Sequence, residues 1–515
     1  MSASATKRHA ILRPYIPRLP AADLSISLFP ISLFLCLPVI LCLLLLLWQA
    51  TPASAGEATP TGGAATTSST MEAPLKETPE ALQLRISGEI SHNFALKLDD
   101  GETMADRISY RLSFESQPSE NTRAYLSWSG SHNLLDGSLA LADLDEAYMN
   151  VYLASADLRI GRQAVSWGTA DGFNPTSFVS PNSALSLASG SGEPGNLGSL
   201  SDLKGEPVLA CQVTVYPAWG DITGVAVLEP ALLPTPLPQD AQGQIIYGVA
   251  VSLAQQPGTS MNVIPAATGF PEPQGPSGLE KKLEIAGRVH TQIGSWDVYG
   301  NALRGWEPVP ALWMTSRIAT DNAGNPLPPG PDGKLTVKLV PEARYRKATK
   351  LGIAAAGVLD HYTLWAEAAY TWPDAIPELD DPQNIALSSN RGYAQLVLGG
   401  DRSFDKDIYA SVQLIYNSEG SLLNPYLLPG QEQLPGYYAT GIIRYAGDNG
   451  DNKLELVGIG NLRDGSIALV PRYTHQLAQA VELSAGLAIF TGRDGTEFGE
   501  LRRNGTVFSG VKVSF

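Results

Sequence analysis

Residues 507–515 read VFSGVKVSF, an alternation that runs unbroken to a terminal aromatic. In a strand, side chains point in turn to opposite faces. Val511, Val513 and Phe515 therefore share one side, and Gly510, Lys512 and Ser514 share the other. One face suits hydrocarbon and the other suits water. Val511, Val513 and Phe515 are read as a C-terminal barrel signal, and the rest of the chain is measured against them.

The same two-faced pattern recurs upstream. Residues 107–115 set Ile108, Tyr110, Leu112 and Phe114 against Arg107, Ser109, Arg111 and Glu115. Around 121–129, Ala124, Leu126 and Trp128 oppose Arg123, Tyr125 and Ser127. Residues 407–416 and 480–490 repeat the arrangement. About twenty segments of roughly 8–11 residues follow this rule, each closed by a Gly, Pro, Asp or Asn cluster. They run from 82–91 to 505–515 and include 245–253 and 259–266. The count falls to about 18 if 259–266 is loop.

Connections alternate in length. Short ones fall at 117–120, 154–155, 217–220, 293–294 and 359–360. Long ones fall at 131–142, 166–205, 230–244, 267–282, 304–347, 371–390, 417–436 and 491–504. A soluble β-sandwich shares the period but not this asymmetry, which belongs to barrels with short periplasmic turns and long external loops. The expected fold class is all-β: a transmembrane antiparallel β-barrel of about 18–20 strands spanning 82–515. Trp128, Trp167, Trp219, Trp306, Trp365, Tyr370, Trp372, Tyr416 and Tyr437 are expected to form interfacial girdles.

The N-terminus carries a different signal. Lys7, Arg8, Arg13 and Arg18 precede an apolar run at 31–47, and Ala53-Ser54-Ala55 follows. Basic, apolar and small-x-small parts in that order make a secretory signal peptide, expected over 1–55 with cleavage after Ala55. The run is long for a signal, so an uncleaved anchor is the alternative. Residues 56–81, rich in Thr, Pro and Ala, read as a periplasmic linker.

Removing 1–55 takes four basic residues and Asp23, leaving 31 basic and 50 acidic side chains. Such a surface excludes nucleic acid as a partner, since phosphate binding needs a basic face. Only Cys211 remains, so no intramolecular disulfide is available to the exported chain. The partners expected are outer-membrane lipid and lipopolysaccharide, the barrel-assembly machinery, and small polar or anionic solutes.

Residues 158–168, LRIGRQAVSWG, resemble a stretch of porin-like Gram-negative outer-membrane barrels. The stretch is similar to that of the alginate-export type and of uncharacterised porin-like proteins. There, a hydrophobic-x-Gly-(Arg/Lys)-Gln strand leads into an external loop. Thr496-Glu497-Phe498-Gly499 resembles the endings of these families too. The resemblance implies a bacterial outer-membrane pore for passive diffusion rather than an enzyme.

If the apolar faces meet lipid, the inner wall carries a basic set of Arg85, Arg107, Arg111, Arg123, Arg159, Arg288, Arg444, Arg472 and Lys512. Its acidic set is Glu89, Glu115, Glu146, Glu284, Glu367, Glu455 and Glu482. These charges either tune selectivity or pair across strands in a wet interior. The 166–205 loop is the third external one, in the position where general porins fold a loop inward. Its candidate constriction residues are Asp171, Asn174, Asp202, Lys204 and Glu206. An external loop over the mouth is the alternative, and 304–347 is a rival constriction.

Two motif matches carry little. Gly190-Ser191-Gly192-Glu193-Pro194-Gly195 follows no buried strand and opens no helix. Asp448-Asn449-Gly450-Asp451 lacks the later Glu of a calcium loop. The remaining histidines are scattered singly, so no catalytic, cofactor or metal site is expected. Two further readings share the pattern: a non-conducting barrel for surface structure, adhesion or polymer export, and a secreted soluble β-protein.

Overall fold

The computed structural model describes residues 83–180, 205–235, 239–255, 261–321, 323–404, 407–423, 425–427, 434–447 and 450–515. Residues 1–82 lie outside this set, and with them the expected signal peptide and linker. The strands run, in chain order, β1 (Gln83–Lys97), β2 (Thr103–Ser119), β3 (Thr122–Asn133), β4 (Leu139–Tyr152), β5 (Ala156–Gln163) and β6 (Val208–Val215). Next come β7 (Gly220–Glu229), β8 (Met261–Pro265), β9 (Glu284–Ile293), β10 (Trp296–Trp306), β11 (Ala311–Ile318) and β12 (Leu335–Arg344). After these follow β13 (Lys347–Leu359), β14 (Tyr362–Pro373), β15 (Asn384–Ala386), β16 (Tyr393–Phe404) and β17 (Ile408–Asn417). The last are β18 (Gly436–Gly447), β19 (Asn452–Asn461), β20 (Ile467–Ala478), β21 (Val481–Thr491) and β22 (Thr506–Ser514).

Eighteen of these strands form one antiparallel sheet. Each pairs with the next in the chain, the sheet passing from β7 to β9, from β10 to β13 and from β14 to β16. β22 then pairs with β1, from Glu89 opposite Ser514 to Lys97 opposite Thr506, and the sheet closes. At the seam Phe515 and Gly88 exchange both backbone hydrogen bonds at 2.9 Å. The Phe515 ring lies so close over Gly88 that a Cβ there would sit 2.6 Å from it. Closure matters because an unpaired backbone group in hydrocarbon costs several kcal/mol, and a closed barrel leaves no edge.

The outer face is apolar. Ile353, Leu398 and Val412 are 58–60% exposed, whereas their inward neighbours Val397 and Gln413 are 3% and 2% exposed. Burying a Leu or Ile is worth about 1.5–3 kcal/mol. A wall of such residues left to water would be ruinous, so lipid covers it. Val511, Val513 and Phe515 lie on this outer face, as the terminal alternation requires.

Two expected strands are not barrel strands. Residues 245–253 fall within helix α1 (Gln239–Ala254). Their apolar side chains read as an alternation, but Ile246, Val249 and Ala250 stand at helical spacing and are buried. Residues 259–266 supply β8, which pairs in parallel with β12 in a separate four-stranded sheet of β15, β11, β12 and β8. Leu312 and Met314 of β11 and Leu339 of β12 join the α1 residues in one core. A small two-layer cap is thus built from external connections. Because 245–253 and 259–266 leave the barrel together, the alternation of short and long connections keeps its phase.

The girdle is also corrected. Trp219, Tyr370, Trp372 and Tyr437 stand exposed on the outside. Trp167 and Trp365, each 3% exposed, are inside the barrel.

Candidate functional site: the barrel interior

Inward residues follow from register. Arg85, Glu89, Arg107, Arg111, Arg123, Glu146, Arg159, Arg288, Arg444 and Arg472 all share the face opposite the exposed apolar residues of their strands. The structure brings most of them into pairs. Arg111 reaches Glu89 at 3.3 Å and Asp145 at 3.0 Å. Arg123 pairs with Glu115, Arg444 with Glu455 at 2.6 Å, and Lys512 with Glu482 at 3.2 Å. Arg159 donates to the Asn150 side chain at 2.7 Å and lies 4.6 Å above the Tyr148 ring. Arg472 faces Glu455 across the strand pair, and Arg85 faces Glu115. Asp145 was missed in sequence. The register shift beside Trp128 turns it inward next to Glu146.

The third external connection enters the barrel. Past β5 the chain crosses at 164–180 to the opposite wall, and Glu367 of β14 holds it there. This carboxylate is 3% exposed and accepts five hydrogen bonds. They come from the backbone N–H groups of Thr169, Ala170 and Thr176 and from the hydroxyls of Thr169 and Thr176. A buried carboxylate without a cation is tolerable only when donors surround it in this way. Gly168 makes the approach possible: its φ is +111°, and a Cβ there would sit 2.9 Å from Glu367 Oε1. The motif at 158–168 is therefore the physical entry to the inward segment.

Further along, the Gln413 amide donates to the Asp171 carbonyl at 3.2 Å and accepts the Trp365 indole N–H at 2.9 Å. Asp171 also accepts from the hydroxyls of Tyr409 and Ser411, each at 3.4 Å. Asn174 lies against Gly168. Glu206 sits just before β6, while Asp202, Lys204 and the 190–195 motif lie outside the described residues. Arg288 approaches this segment too, 5.9 Å from the Trp167 ring and 3.5 Å from Asp221.

Other external connections also fold inward. Glu497, from the Thr496-Glu497-Phe498-Gly499 stretch, accepts from Tyr438 at 2.6 Å and Asn461 at 2.7 Å, and Phe498 is 2% exposed. Between these segments and the base of the cap lies a cavity of about 270 Å³. Asp171, Glu307, Arg346, Lys350, Tyr393 and Glu419 supply polar groups to it, and Phe173, Leu422, Tyr426 and Phe498 supply apolar surface. Glu307 and Arg346, 6% and 7% exposed, form a buried ion pair. Loss of water, then the charge of Glu307, pushes the Glu419 carboxyl up to about 8.

Sequence reading did not reach this cluster, because Glu307 and Arg346 sit at the two ends of one long connection and meet only when β10 and β13 pair. Nor did it foresee His290 between Asp221 at 2.7 Å and Asp297 at 2.9 Å. Three neighbouring strands bring that group together.

No protein-family model matches the sequence, and no curated protein is similar to it. Solved structures with a similar fold include OccAB1 of Acinetobacter baumannii, at 9% identity and a TM-score of 0.45, over 85% of this chain and 97% of that one. OmpF of Salmonella typhi, in complex with daunomycin, is similar at 10% identity and a TM-score of 0.37, over 84% and 97%. The outer-membrane channel DcaP of Acinetobacter baumannii gives 9% identity and 0.37 over the same shares. Likeness this distant concerns the fold alone. The closed 18-strand wall, apolar outside and charged within, defines the chain as an antiparallel β-barrel of the transmembrane type.

Proposed function

We propose that this protein is a passive outer-membrane channel for small polar or charged solutes. The single observation that carries the reading is the segment 164–180, which is held across the interior of a closed 18-strand barrel by Glu367. Barrels of 16–18 strands have room for an aqueous path, and a segment pinned inside narrows that path. Asp171 and Asn174, with Asp202, Lys204 and Glu206 of the same connection, are the constriction set in this reading. The paired charges of β1 to β5 are the wall that solutes pass. Export by a signal cleaved after Ala55, and insertion guided by the strand ending at Phe515, complete the proposal.

Reconstitution into planar bilayers tests it. Discrete conductance steps with modest ion selectivity are expected. A folded, heat-modifiable barrel that stays silent would sink the channel reading in favour of a surface-structural one.

A further inference from the structure

The cavity between the inward segment and the cap is lined by a lysine that, among the described residues, has no hydrogen-bond or ion-pair partner. Lys350 lies on the inner face of β13, between Leu303 and Thr371 on the neighbouring strands, and its side chain lines the cavity. Among the described residues its side-chain nitrogen makes no hydrogen bond and no ion pair, and the carboxylates of Glu307, Glu284 and Glu419 act on it only through space. The neighbouring Arg346 is fully engaged: it pairs with Glu307 and donates to the Ser389 carbonyl at 2.9 Å and to Asn390. Most arginines of the charged wall are likewise paired. Lys350 instead faces a largely apolar chamber.

From this we infer that the chamber binds a small organic monocarboxylate with a flat apolar body, its carboxylate taken by Lys350 and its body lying against Phe173, Leu422 and Phe498. The inference rests on the channel reading only in setting the chamber along the solute path. A buried amine takes its charge at a cost of several kcal/mol, which an arriving carboxylate that pairs with it offsets. Among the described residues lining the chamber, a cationic solute meets no unengaged carboxylate. Glu307 is tied to Arg346, and Asp171 is turned to the hydroxyls of Tyr409 and Ser411. Glu419 holds its proton at neutral pH, so it does not repel an incoming anion. The volume of about 270 Å³ lies near the lower end of ligand pockets and suits a single-ring solute.

The test is equilibrium binding of benzoate to the full-length, detergent-solubilised barrel, read by saturation-transfer NMR. Benzylamine and benzyl alcohol serve as probes of the same shape. Saturable benzoate binding is expected, with no saturation by benzylamine. Lys350→Met should weaken benzoate by on the order of tenfold or more, the worth of a charge-assisted contact. Lys350→Arg should restore most of it. Heat-modifiable mobility confirms that each variant is folded. Equal binding of benzoate and benzylamine, or a folded Lys350→Met variant that binds benzoate like the parent, would overturn the site. Because this assay needs no conduction, a silent bilayer recording with intact benzoate binding would count against the channel alone. Conduction without benzoate binding would count against the chamber alone.

Discussion

Two stretches of the same barrel wall are built in opposite ways. On β1 to β5 the inner face is charged and wet: the side chains of Arg111 and Arg123 are 47% and 53% exposed although both are paired. On β14 and β17 the inner face is dry: Trp365, Glu367, Gln413 and Ile415 are 2–3% exposed, covered by the segment 164–180. The difference shows where stability and selectivity are placed. Half-exposed pairs on the first wall contribute little to stability, about 0–1 kcal/mol each, so their charges are free to serve solutes. On the second wall each polar group is committed to holding a loop.

Breaking the dry wall should have the largest effect. Glu367→Ala leaves the donors of Thr169, Ala170 and Thr176 without their acceptor, at about 1–3 kcal/mol for each that stays buried. The inward segment should come away from β14, raising single-channel conductance severalfold while heat-modifiable mobility shows the barrel intact. Unchanged conductance would mean that the segment does not narrow the path.

A smaller effect is expected on the wet wall. Arg111→Ala frees Glu89 and Asp145, adding net negative charge beside the path. Reversal potentials in a salt gradient should move toward cation selectivity, while stability changes by less than about 1 kcal/mol. A shift toward anions would contradict the assignment of this wall.

The last effect concerns pH. Glu419 titrates near 8 rather than at its ordinary 4.5, with Glu307, Arg346 and Lys350 around it. A carboxyl with a raised value in the folded state favours folding when protonated, so its contribution declines as pH rises from about 4.5 to about 8. Above 8 it adds one negative charge to the chamber. Thermal unfolding of Glu419→Gln should lack this slope, and its cation selectivity should not rise across pH 8 as the parent's does. Parallel pH curves for the two proteins would refute that role.

The legibility of the molecule follows the same divide. The wet wall is readable, apart from Asp145 at its register shift, because each other inner charge sits in a strand whose neighbours declare its face. Glu367 was placed inward by that rule, but its partner was not. Thr176 and Glu367 are 191 residues apart, and no local pattern links them. The misread 245–253 teaches the converse. Tyr247, Val249 and Val251 alternate with Gly248, Ala250 and Ser252, yet outside lipid nothing enforces period two. Ile246, Val249 and Ala250 packed instead as a helix on β11 and β12.

By itself the sequence determined the barrel class, its apolar outer face and the side on which most barrel-strand residues lie. These follow from period-two alternation, a constraint that hydrocarbon imposes on each strand locally. Only the tertiary structure decided that 164–180 would cross the interior, that a cap would form from external connections, and that Lys350 would face a chamber. Those outcomes depend on contacts between residues far apart in the chain, which appear only once β22 has met β1.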